Sequence, residues 1–77
     1  MEKSLILCKK LNANSKLRIS FEKGNTYYFN VGDQRVEIYF DSSERFNVLK
    51  NGCLRYIGYT MPTAIEHYNR EVKQLKS

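Results

Sequence analysis

The stretch from Thr60 to Ser77 has the only clear helical period in the chain, and it limits what the rest can be. At about 100° per residue, Met61, Ala64, Ile65, Tyr68, Val72 and Leu75 fall on one side of a helix. Glu66, Arg70, Lys73 and Gln74 fall opposite. A stripe that wide needs a sheet or another helix to cover it, so the spacing predicts an amphipathic helix over residues 62–76. Thr63 and Glu66 have the spacing of a capping box, with Pro62 just ahead where its missing N–H costs nothing. Thr60 is the alternative cap. Glu66 and Arg70 form an i,i+4 pair in the favoured order, and Lys73 and Lys76 suit the negative end of the helix dipole.

The segments before this helix read as strands. Leu5-Ile6-Leu7-Cys8 is a continuous apolar run, placed in a strand within residues 4–11. Leu17, Ile19 and Phe21 alternate with Arg18, Ser20 and Glu22, which predicts a strand over residues 17–23. Further strands are expected within residues 26–31, 35–40, 45–50 and 53–59. A two-residue turn at Gly32-Asp33, glycine first as type II′ wants, sets Phe29 opposite Val36 and Tyr27 opposite Ile38. At Gly24-Asn25 a two-residue turn would mismatch the apolar faces. An odd-length loop or a bulge is therefore expected, pairing Phe21 with Phe29 and Ile19 with Val31. Asn51-Gly52 is the strongest hairpin signal. It implies Leu49 opposite Leu54 on one face, and Phe46 with Ile57 and Val48 with Arg55 on the other. Both faces of that hairpin carry apolar residues, a pattern that marks a strongly twisted hairpin in a small core more often than an edge that meets a partner.

The expected fold is α+β. It is an antiparallel five- or six-stranded meander in a single domain, 1–77, with the C-terminal helix packed on one face. That face carries Leu17, Ile19, Phe21, Phe29, Val36, Ile38 and Phe40. Seventy-seven residues bury only about 60% of their unfolded surface, so few unpaired polar groups are tolerable inside. No apolar run reaches the ~18 residues of a membrane span, and the N-terminal apolar stretch is too short for a signal peptide. The expectation is a soluble cytoplasmic protein without a membrane partner. Cys8 and Cys53 then read as free thiols filling apolar space.

The chemistry of the chain is sparse. His67 is the lone histidine and sits off the apolar stripe, so it reads as an exposed helix residue. No cysteine stands at metal-ligand spacing, and no base is placed to activate a thiol. The glycines mark hairpin turns rather than a phosphate loop. An enzyme, a metal and a cofactor are therefore not expected, and no motif carries a family resemblance.

The net charge of +5 is spread along the chain, with only Lys9 and Lys10 adjacent. Such a spread raises attraction to anions without building a phosphate-binding stripe. Alternation places Arg18, Tyr28, Asn30, Arg35, Glu37 and Tyr39 on the solvent side of the sheet. Arg18, Tyr28, Arg35 and Tyr39 are the candidate binding residues. Tyrosine and arginine are enriched at protein hot spots, and they also serve single-stranded nucleic acids through stacking and phosphate pairing.

The leading expectation is a small non-enzymatic protein that acts stoichiometrically as an inhibitor or regulator of a larger macromolecule. Phages and mobile elements encode regulators of this character, and a nucleic-acid-handling machine is a fitting target. A single-stranded nucleic-acid-binding module is the alternative, and a homo-oligomer joined at a sheet edge is a further arrangement.

Overall fold

A computed structural model describes residues 4–75. It is α+β, with a five-stranded sheet in the order β1-β2-β3-β4-β5 and two helices. The strands are β1 (Leu5–Leu7), β2 (Thr26–Val31), β3 (Gln34–Phe40), β4 (Phe46–Lys50) and β5 (Cys53–Gly58). The helices are α1 (Ser15–Glu22) and α2 (Met61–Lys73).

The largest departure from the sequence expectation is α1. Residues 17–23 do not form a strand. Asn14 caps the helix, its Oδ1 accepting from the Leu17 N–H at 2.9 Å. Gly24 ends it at φ 97°, with the Gly24 N–H donating to the Phe21 carbonyl and the Asn25 N–H to the Ser20 carbonyl. That double bond pattern is a Schellman motif, and glycine takes its left-handed position without strain. Leu17 and Phe21 are one helical turn apart and both buried, whereas Ile19 is 51% exposed. The expected pairs Phe21–Phe29 and Ile19–Val31 are therefore absent, and no odd-length hairpin loop stands at Gly24-Asn25.

With a helix between them, β1 and β2 run parallel, Leu5 beside Thr26 and Leu7 beside Tyr28. The sheet is thus mixed rather than purely antiparallel, because a helical crossover returns the chain in the same direction. The remaining pairs are antiparallel. Gly32-Asp33 gives the expected register, Phe29 opposite Val36 and Tyr27 opposite Ile38. Of its two turn residues only Gly32 has positive φ, as type II′ requires. At the next hairpin both Asn51 (φ 52°) and Gly52 (φ 82°) are left-handed, which is type I′. Leu49 faces Leu54 as expected, but the register then slips. Arg55 is the extra residue of a bulge, so Val48 faces Tyr56 and Phe46 faces Gly58 instead of Arg55 and Ile57.

Both helices cover the same face of the sheet. Tyr27, Val36, Ile38, Phe46 and Val48 meet Leu17 and Phe21 from α1, and Met61, Ala64, Ile65, Tyr68 and Val72 from α2, with Leu75 beyond it. Phe29 and Phe40 are only partly buried against this core. Phe21 packs edge-on against Tyr27 and Phe46, with centroids 5.2 and 5.3 Å away. All six residues of the expected α2 stripe are buried. The helix starts one residue before the expected boundary. Thr60 is the cap position without a side-chain cap bond, so Thr63 lies inside the helix and the Thr63–Glu66 capping box does not form. Lys76 lies outside the described residues.

Candidate functional site

The face of the sheet opposite the helices has no covering layer among the described residues. Register places one row across it, Leu7, Tyr28, Glu37, Leu49 and Leu54, since directly opposed residues share a face. Leu5 and Thr26 pair on the same face by alternation, as do Tyr39, Asn47 and Ile57, with the Asn47 side chain buried and donating to Asp41. Asn30 and Arg35 pair beyond the first row. At about 4.8 Å between strands, four gaps make this surface about 19 Å wide.

Its composition is unusual for a wet sheet face. Leu5 and Leu7 are 62% and 58% exposed on the β1 edge, and Leu54 and Ile57 are 54% and 40% exposed on the β5 edge. Tyr28, Tyr39 and Leu49 bridge the two edges, each half-buried. The bulge at Arg55 helps set this up. One extra residue lets Leu54 and Ile57, three apart in sequence, both point to the open side.

The charges on this face are largely satisfied within it. Arg35 pairs with Glu37 at 3.4 Å, and its guanidinium lies 4.2 Å from the centroid of the Tyr28 ring. The Arg35 backbone is held in turn by Asn51, whose Oδ1 accepts from the Arg35 N–H at 2.8 Å. At the β3–β4 connection, Asp41 accepts from the N–H groups of Ser43 and Arg45 and from Asn47 Nδ2. The bond from the Asn47 side chain, and then the Arg45 N–H, hold the Asp41 carboxyl below the usual carboxylate value.

Of the four residues nominated by alternation, Tyr28, Arg35 and Tyr39 come together on this face. Arg18 does not. It sits on α1, in the other layer, paired with Glu22 at 3.1 Å and placed 5.4 Å from the Phe40 and Phe46 ring centroids. The five aliphatic residues Leu5, Leu7, Leu49, Leu54 and Ile57 were the missed part of the surface. The two-faced apolar pattern of the 45–59 hairpin was the signal for three of them.

Other candidate groups stay apart. His67 is half-buried rather than exposed, and stacks on Tyr56 with centroids 4.4 Å apart. Cys8 and Cys53 are free thiols, and Cys53 is exposed rather than filling the core. Among the described residues no three metal-ligating side chains converge, and no helix is long and apolar enough to cross a membrane. Comparison with protein-family models, with curated proteins and with solved structures finds no match to this chain.

Proposed function

We propose that the chain is a small binding protein that acts stoichiometrically on a protein partner, as its inhibitor or regulator, through the open face of the sheet. The observation that carries this reading is the apolar span from Leu5 and Leu7 to Leu54 and Ile57. Its edges are aliphatic, its centre is Tyr28, Tyr39 and Leu49 around Glu37, and that carboxylate is paired with the face's one arginine. An occupant with aliphatic stripes that meet the two edges complements that surface, since its central charges already pair with each other. Exposed aliphatic side chains grouped on one open face are a mark of interaction surfaces.

The alternative, a single-stranded nucleic acid on the same tyrosines, draws less support. Phosphates need unpaired cations beside the stacking rings, and the Arg35 charge here is engaged by Glu37 and Tyr28.

The test compares the wild-type chain with a Leu7→Glu/Leu54→Glu variant, both checked for the same circular dichroism and melting temperature. Affinity capture from the source cell or its host should recover a protein with the wild type that the variant loses, and the purified pair should then form a complex of fixed stoichiometry. An unchanged set of captured proteins refutes the reading. Sedimentation of the two chains separates a second copy of this protein from a different partner. Anisotropy with labelled oligonucleotides tests the alternative, which predicts binding that Tyr28→Ala/Tyr39→Ala abolishes.

A further inference from the structure

The charge excess is not as dispersed in space as in sequence. Among the described residues, four of the five arginines are in ion pairs, and Arg70 is not. Arg70 instead lines a cleft of about 520 Å³ with Lys9, Lys10, Asn69, Val72 and Lys73. Four of its six lining residues are cationic and none is acidic. The i,i+4 partner expected for Arg70, Glu66, forms no ion pair with it among the described residues.

Cations near the C-terminus of a helix suit its dipole, which alone would account for Arg70 and Lys73. It does not account for Lys9 and Lys10, which come from the β1–α1 connection and are clamped onto α2 from both sides. The buried Tyr68 hydroxyl donates to the Cys8 carbonyl at 2.6 Å. Asn69 makes a two-way bond with Leu11, accepting from its N–H and donating to its carbonyl, each at 2.9 Å. Cys8 Sγ also donates to the Lys10 carbonyl at 3.0 Å. The residues on either side of Lys9-Lys10 are thus pinned by successive residues of α2. The exposed side chains of Lys9, Lys10, Arg70 and Lys73 therefore extend from backbone held at one place, and a multivalent anion relieves the mutual repulsion of their charges.

We propose that this cleft binds a ligand carrying two or more adjacent phosphoryl groups. Four cations around one concavity match a compact, multiply charged group better than an extended backbone, which would need a stripe. The volume lies in the range of small-ligand sites, and Val72 with the lysine and arginine stems gives it apolar walls. The site lies on the helix-bearing side of the fold and is independent of the open sheet face.

The test titrates the full chain with inorganic pyrophosphate, tripolyphosphate and orthophosphate by calorimetry near physiological salt, with amide chemical shifts followed in parallel. Pyrophosphate and tripolyphosphate should bind more tightly than orthophosphate and shift Lys9, Lys10, Asn69, Arg70 and Lys73. Lys10→Gln/Arg70→Gln should weaken binding about tenfold or more, taking roughly three- to fivefold for each charge. Lys16→Gln/Lys23→Gln removes the same charge from residues that do not line the cleft and should change it less than about twofold. Equal losses in the two variants would mean a diffuse charge effect and overturn the proposal. So would no pyrophosphate binding, tighter binding of an acidic peptide, or binding of a single-stranded oligonucleotide that pyrophosphate cannot displace. A nucleoside triphosphate binding as tightly as tripolyphosphate shows that the phosphate chain is what is read, and tighter binding adds a contact to the nucleoside.

Discussion

Tyr68→Phe isolates one hydroxyl in the middle of the fold. The ring is fully buried, so the phenylalanine keeps its packing and loses only the bond to the Cys8 carbonyl. A hydrogen bond of this kind contributes about 0.5–1.5 kcal/mol net, and a half-buried acceptor left without a partner adds to the loss, giving about 1–2 kcal/mol. For 77 residues at about 2.1 cal/mol/K each, the unfolding entropy is about 0.16 kcal/mol/K. The melting temperature should therefore fall by about 6–12 °C, read by circular dichroism at neutral pH.

The same hydroxyl sets an alkaline limit. Burial, and then the neighbouring Cys8, push its ionisation above the ordinary tyrosine value of 10.0. In the unfolded chain the phenol ionises near that ordinary value, while the folded chain still holds the proton. The unfolded state therefore binds fewer protons, and stability falls as pH rises above about 10, by at most about 1.4 kcal/mol per pH unit from this group. Tyr68→Phe should lose less stability than wild type over that interval, so the two melting curves converge. A variant that melts within about 2 °C of wild type at neutral pH, and runs parallel to it above pH 10, would refute the assignment of this bond.

Three further outcomes test the fold. Phe21→Ala should cost about 3–5 kcal/mol in chemical denaturation, whereas Ile19→Lys should stay within about 0.5 kcal/mol of wild type; equal losses would restore the strand that alternation suggests. Ile65→Ala, on the buried stripe of α2, should destabilise by about 2–4 kcal/mol, and a smaller loss would mean that the helix does not seal the sheet. The Asp41 carboxyl contributes stability that is complete above its ordinary value of 3.8 and is lost as pH falls through its lower folded value, so Asp41→Ala should flatten the acid limb of an unfolding titration.

What was legible in the sequence was set by local rules. The α2 stripe follows from helical spacing, and the two glycine-containing turns fix the nearest pairs of their hairpins. α1 escaped because Leu17, Ile19 and Phe21 satisfy two periods at once, two-residue alternation and the i,i+4 spacing of Leu17 with Phe21. The residues that break the tie are Asn14 and Gly24, a cap and a left-handed stop bracketing a short segment, and both also serve as turn residues. Misreading that segment also hid the parallel pairing of β1. The Arg55 bulge lies beyond what turn geometry fixes, since a turn dictates register only until an extra residue intervenes. Tyr28, Arg35 and Tyr39 were legible as one face from the Gly32-Asp33 register, but the aliphatic flanks depended on that bulge and on β1. The cationic cleft joins residues 9–10 to residues 69–73, a proximity that no local pattern encodes.

That long-range stitch also orders events in time. Tyr68 and Asn69 reach back across 60 and 58 positions to Cys8 and Leu11. During synthesis β1 can meet β2 early, and the Cys8 N–H can reach the Tyr28 carbonyl, but the bonds that tie Cys8 and Leu11 to α2 must wait until residues 68 and 69 have cleared the ribosome. The Lys9-Lys10 segment is then fixed by one of the last closures of the chain. An anion that required all four cations would bind only completed molecules, and by mass action it would hold the two ends of the fold together.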